Sequence, residues 1–149
     1  MTLPSTDREA IDRLKLHFSK IQIADKDHDL DRDGYTSAAW DGDLFSNGAV
    51  GTIDWVAAFG LPEIPKFVNL HVSVRDAASA GISYWISFKA RVGTTNWSAY
   101  ADAECAVNNL YRDSDVWVPV DDNGTTYYGI LASGVNTMQI WVRVNAWMK

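Results

Sequence analysis

Cysteine is nearly absent from this chain of 149 residues. The single example, Cys105, excludes an internal disulfide framework and reads as a small core residue. Positive charge is also short: 13 basic residues face 19 acidic ones, giving a net charge of −6 and a pI near 4.8. A nucleic-acid binder presents a basic face to displace counterions, so nucleic acid is not an expected partner. No apolar run reaches the ~18 residues that a membrane-spanning helix needs, and no membrane partner is expected. The opening stretch, Met-Thr-Leu-Pro-Ser-Thr-Asp-Arg-Glu, is too polar for a secretory signal. Glutamate is scarce, with only Glu63 and Glu104 after Glu9, and nothing pairs them. There is no Gly-x-Ser-x-Gly, no His-Glu-x-x-His and no glycine-rich phosphate loop. His17, His28 and His71 share no metal-ligand spacing. Aspartate is plentiful enough to leave an opposed carboxylate pair open, but the expectation is a protein that is not an enzyme.

Aromatic residues, by contrast, are abundant. Seven Trp and six Tyr supply large, rigid side chains that fill β-cores, interfaces and sugar platforms. The length suits one domain with a core of useful size.

Charge divides the chain unevenly. Residues 1–43 carry ten acids and six bases, whereas the remaining 106 positions carry nine acids and seven bases. Within residues 1–24, Thr6 and Glu9 have capping-box spacing. Ile11, Leu14, Phe18 and Ile21 step like the seam of a short coiled coil. Leu14, Leu16 and Phe18 also alternate, as do Ile21 and Ile23, which is strand spacing. The segment is therefore a short helix or an extended arm. Two heptads are not stable alone in water, so it is expected to act as an anchor. Residues 25–34 lose all apolar periodicity and read as an acidic linker.

From residue 35 to 149 the pattern is β. Val68, Leu70, Val72 and Val74 alternate with polar residues, as do Ile82, Tyr84, Ile86 and Phe88, and Met138, Ile140, Val142 and Val144. Shorter strands are expected at 36–40, 51–58, 105–111, 115–119 and 125–131. Asp122-Asn123-Gly124 predicts a tight hairpin joining 116–120 to 125–130. The fold class is thus mainly β: an antiparallel β-sandwich or jelly roll of 7–8 strands.

Two groups of residues carry possible site chemistry. Asp29, Asp31, Asp33 and Gly34 match positions 1, 3, 5 and 6 of a calcium loop. Position 12 is Trp40 rather than a bidentate glutamate, so a solvated acidic linker is the favoured reading and calcium the weaker one; no other cofactor is expected. The second group is the aromatics Trp85 and Trp141, which fall on faces opposite the alternating core, with Trp97 and Trp117 near loops or strand ends. They suit a subunit interface, a core covered on both faces, or a sugar platform.

Four stretches carry a family resemblance: Tyr-Thr-Ser-Ala-Ala-Trp-Asp-Gly-Asp at 35–43, Gly-Leu-Pro-Glu-Ile-Pro-Lys-Phe-Val-Asn-Leu-His-Val-Ser-Val-Arg-Asp at 60–76, Asp-Val-Trp-Val-Pro-Val-Asp at 115–121 and Ile-Trp-Val-Arg-Val-Asn-Ala-Trp at 140–147. Residues 35–149 resemble small β-sandwich modules in virion proteins of tailed bacteriophages. The resemblance implies a virion location and a structural or receptor-facing role in capsid decoration, a head fibre or a tail fibre. It also implies a homotrimer whose partners are its own copies, other virion proteins and, for a fibre head, host glycans. The alternative is a carbohydrate-binding module or lectin that uses exposed Trp residues.

Overall fold

A computed structural model describes residues 21–23, 35–78, 84–89, 102–105 and 109–149, with the backbone path alone for 21–23 and 102–105. In chain order the described elements are β1 (Ile21–Ile23), β2 (Tyr35–Phe45), β3 (Val50–Asp54), α1 (Trp55–Phe59), β4 (Phe67–Asp76), β5 (Tyr84–Lys89), β6 (Asp102–Cys105), β7 (Arg112–Pro119), β8 (Thr125–Leu131) and β9 (Met138–Met148).

The pairing of these strands is nested. β2 pairs with β9, β3 with β8, β4 with β7 and β5 with β6, all antiparallel. This is a long double ribbon. Two further pairs, β4 with β9 and β5 with β8, roll the ribbon into sheets of order β2-β9-β4-β7 and β3-β8-β5-β6. That order is a jelly roll, eight strands in two facing sheets. β1 lengthens one edge: it pairs with Ala146–Met148 of β9, beyond the stretch of β9 that β2 occupies.

Alternation explains the core. Val68, Leu70, Val72 and Val74 of β4 are fully buried, and Met138, Ile140, Val142 and Val144 of β9 lie beside them. Ile53, Ile86, Phe88 and Ile130 come from the facing sheet. The β4–β9 register shifts between Asn69 and Leu70, where Asn69 faces Ala146 and Leu70 faces Val144. The extra residue, Asn145, is a bulge that reverses the alternation. It thereby turns Trp147 into the core and leaves Asn145 on the outer face.

Three sequence expectations are corrected. The run 51–58 is not one strand. Asp54 ends β3, and its Oδ1 accepts a hydrogen bond from Ala57 N at 2.9 Å, capping α1. Gly60, at φ +71°, stops the helix after Phe59. Trp55 and Phe59 then close one end of the sandwich, and Trp55 Nε1 donates to Thr126 Oγ1, which donates to Pro119 O. The strand expected at 105–111 runs instead at Asp102–Cys105, and Asn109 sits in a left-handed turn at φ +58°. The residues around Asp122-Asn123-Gly124 do form a tight turn, organised by Asp121, whose carboxylate accepts from Asn123 N, Thr125 N and Thr125 Oγ1. The turn does not make a hairpin, because β7 pairs with β4 in one sheet and β8 with β3 and β5 in the other. A turn fixes chain reversal, whereas the core decides which sheet each strand joins.

Candidate functional site

Three places concentrate polar or aromatic chemistry. The first is Asp76, at the end of β4 and fully buried. Its carboxylate accepts hydrogen bonds from Ala78 N at 3.0 Å, Ser133 N at 2.9 Å, Thr137 Oγ1 at 3.3 Å and the Ser133 hydroxyl. Its backbone oxygen accepts from Asn109 N at 2.8 Å. Asp76 thus ties together segments that follow β4, precede β7 and join β8 to β9. Desolvation pushes its pKa up, but the hydrogen bonds from Ser133, Ala78 and Thr137 outweigh that and hold it below the usual carboxylate value. These donors come from three separate loop segments, so the role of Asp76 is to hold loops.

The second place is the outer face of the sheet containing β9, β4 and β7. His71 lies between Asp115 and Arg143 in register. Its Nδ1 is 3.0 Å from Asp115 Oδ1, and its Nε2 is 3.9 Å from Asp113 Oδ1. Asn145 Nδ2 donates to Asn69 Oδ1 and to Asp115 Oδ1, both at 3.3 Å, and Arg143 Nε donates to Asn145 Oδ1 at 3.2 Å. Trp141 flanks this network at one end. A Cβ on Gly42 would stand 2.7 Å from its indole, so only glycine allows β2 to pass there. The Tyr111 ring lies 5.3 Å from it, and the Arg75 guanidinium lies 5.1 Å above Tyr111. Trp141 is therefore half-buried within its own domain. At the other end Phe67 and Trp117 are 43% and 44% exposed. Register sets Phe67 between Pro119 and Met148, with Trp117 one step along the same face.

The third place is a cleft of 330 Å³ on the outer face of the other sheet. Trp85, Ser87 and Lys89 of β5 and Tyr127, Gly129 and Leu131 of β8 line it, with Val50 of β3 at the side. Trp85 is 36% exposed. Ser87, although on the outer face, is only 5% exposed, because it lies on the floor. Its Oγ donates to Gly129 O at 3.4 Å. Lys89 Nζ sits 5.7 Å from the Tyr127 ring centre, within cation–π range.

The aromatics singled out from the sequence therefore separate. Trp85 borders the cleft, Trp117 stands in the patch of the opposite sheet, and Trp141 packs against Gly42 and Tyr111. Trp97 lies outside the described residues, as do Ile11, Leu14 and Phe18 of the anchor and Asp29, Asp31 and Asp33 of the acidic loop. Ile21, the last anchor residue, is opposite Met148 in β1. Trp40, at the twelfth position of the calcium-loop pattern, is a core residue stacked on Phe45. Among the described residues no three His, Cys, Asp or Glu side chains gather to hold a metal ion. Sequence reasoning missed the cleft and the role of Asp76. A Gly and a Ser at facing outward positions were the signal for the first. A lone Asp closing an alternating strand was the signal for the second.

No family model and no curated protein matches the sequence. Several solved structures are similar in shape, two of them as follows. The coat protein of tobacco streak virus aligns over 78% of this chain and 83% of its own, at 14% identity and a TM-score of 0.43. The arabinose-bound α-L-arabinofuranosidase MgGH51 aligns over 71% of this chain at 8% identity and a TM-score of 0.43. This chain spans only 18% of that enzyme's length. Likenesses of this size carry no function across, and the jelly-roll assignment rests on the strand pairing itself.

Proposed function

We propose that the protein is a non-enzymatic structural component of a phage virion, a capsid-decoration or fibre protein that acts by assembling as a homotrimer. The observation that carries this reading is the patch of Phe67, Trp117 and Met148 at one corner of the outer face. Large apolar side chains left together in water mark a docking surface. β1 reaches the same corner, since Ile21 is opposite Met148 and Ile23 opposite Ala146. The described part of the segment read as an anchor, Ile21–Ile23, therefore lies beside the patch. The sequence resemblance of residues 35–149 to phage virion modules supplies the setting. Light scattering coupled to size exclusion tests it: the wild type should run as a trimer, and Trp117→Ala should lower the mass while leaving the fold intact. A monomeric wild type overturns the reading.

Carbohydrate binding is a second reading, favoured by one specific observation: Trp85 stands exposed at the mouth of a cleft. The two readings are compatible if a virion head or fibre engages host glycans.

A further inference from the structure

The cleft beside Trp85 is built by the register of three strands. Trp85 faces Leu131, Ser87 faces Gly129 and Lys89 faces Tyr127 across β5 and β8. Val50 faces Gly129 from the other side. The middle row is thus Val50, Gly129 and Ser87, two of them small. The rows on either side carry Trp85 with Leu131, and Tyr127 with Lys89. Large rows two residues to each side of a bare row make a trough across the sheet. The Trp85 row and the Tyr127 row are four residues apart, about 13 Å at roughly 3.3 Å per residue. Ser87, only 5% exposed, lies below the larger Trp85 and Lys89 on either side of it.

We propose that this trough is a binding site for a neutral oligosaccharide. This assignment rests on the carbohydrate reading and gives it a place. A sugar ring has an apolar face of C–H groups and a rim of hydroxyls. The glycine floor lets a ring come down to the backbone, and Trp85 and Tyr127 offer aromatic faces at the two ends. Lys89 and Tyr127, both in the lining, carry an ammonium and a hydroxyl, groups that hydrogen-bond sugar hydroxyls. Size favours this occupant over a protein. At 330 Å³ the trough lies at the small end of ligand sites, which run from about 300 to 1,000 Å³. A stable protein interface instead covers about 800 Å² per partner. A neutral ligand fits because Lys89 is the single charged residue of the lining and sits within cation–π range of the Tyr127 ring.

The test is calorimetric titration of the full chain with cellohexaose, maltohexaose, xylohexaose and chitohexaose, with oligomeric mass and melting temperature recorded for every variant. At least one sugar should bind, with Kd below about 1 mM. Trp85→Ala should weaken that binding about tenfold or more, as loss of a stacking aromatic does. Gly129→Val should do the same by filling the floor while Trp85 stays in place. Tyr127→Ala is the second truncation, kept in case one variant fails to fold. Val135→Ser, an exposed loop change, should bind like wild type. If none of the four sugars binds, the carbohydrate reading itself falls and the site with it. If a sugar binds and Trp85→Ala, Tyr127→Ala and Gly129→Val all keep wild-type affinity in folded protein, the reading survives but the trough is not the site. Neither result touches the trimer, whose mass is read separately.

Discussion

At the scale of single residues, the buried polar groups are those that hold chain segments in place. Thr126 relays a hydrogen bond from Trp55 on the helix to Pro119 at the end of β7. Asp76 does the same for loops at the opposite end of β4. Its pKa is lowered on folding, so its carboxylate contributes stability that is present above the unfolded value, about 3.9. That contribution is lost as the pH falls through the lower, folded value. Asp76→Asn puts an amide NH₂ among groups that are themselves donors. At neutral pH this should cost about 1–3 kcal/mol, the penalty for buried polar groups left without partners. Thermal melts at pH 7 and at about pH 2.5 should show a wide gap between wild type and variant at the first and a narrower one at the second. An equal gap at both would mean that the ionised carboxylate is not what holds the loops.

At the scale of elements, β4 is the strand on which most else depends, flanked by β7 on one side and β9 on the other. Leu70→Ala should cost about 2–5 kcal/mol through lost transfer energy and a cavity. That is a large part of the about 5–15 kcal/mol that stabilises an ordinary domain. Ser73→Ala, on the outer face of the same strand, should change stability by no more than about 0.5 kcal/mol. Urea unfolding of both variants measures the contrast, and a harmless Leu70→Ala would place the register one residue off. β4 and β9 were legible in the sequence because apolar residues alternate there with polar ones over Val68–Val74 and Met138–Val144, so the buried face follows from the pattern. The turn at Asp122-Asn123-Gly124 was legible too, but not its outcome, because turn residues say nothing about which neighbour the next strand pairs with. The five residues of α1 are too few to show a helical period, so Trp55 and Phe59 read as the tail of a strand. The trough around Ser87 depends on three strands meeting in one register. No single stretch of sequence contains that, although Trp85 was rightly placed outside the alternating core.

At the scale of the whole molecule, the two outer faces have different characters, and β1 lies with one of the two sheets. The apolar corner at Phe67, Trp117 and Met148 meets β1, while the trough of Trp85 and Gly129 lies on the other sheet. Assembly and ligand binding can therefore be separated by truncation. Removing residues 1–24 deletes β1 but leaves β9 paired with β2 over Met138–Val144 and with β4 along its length. The buried residues of β4 and β9 lie beside one another in the remaining chain. The truncated protein should fold and melt within a few degrees of the full chain, a loss of about 1 kcal/mol. It leaves the edge of Ala146–Met148 uncovered and lacks the segment that two heptads of apolar residues suit for packing between copies. Its mass by light scattering should fall from trimer to monomer, and any oligosaccharide binding at the trough should be unchanged. A truncated chain that still assembles as a trimer would show that residues 1–24 are not the anchor and that the Phe67–Trp117 corner holds the copies together without them.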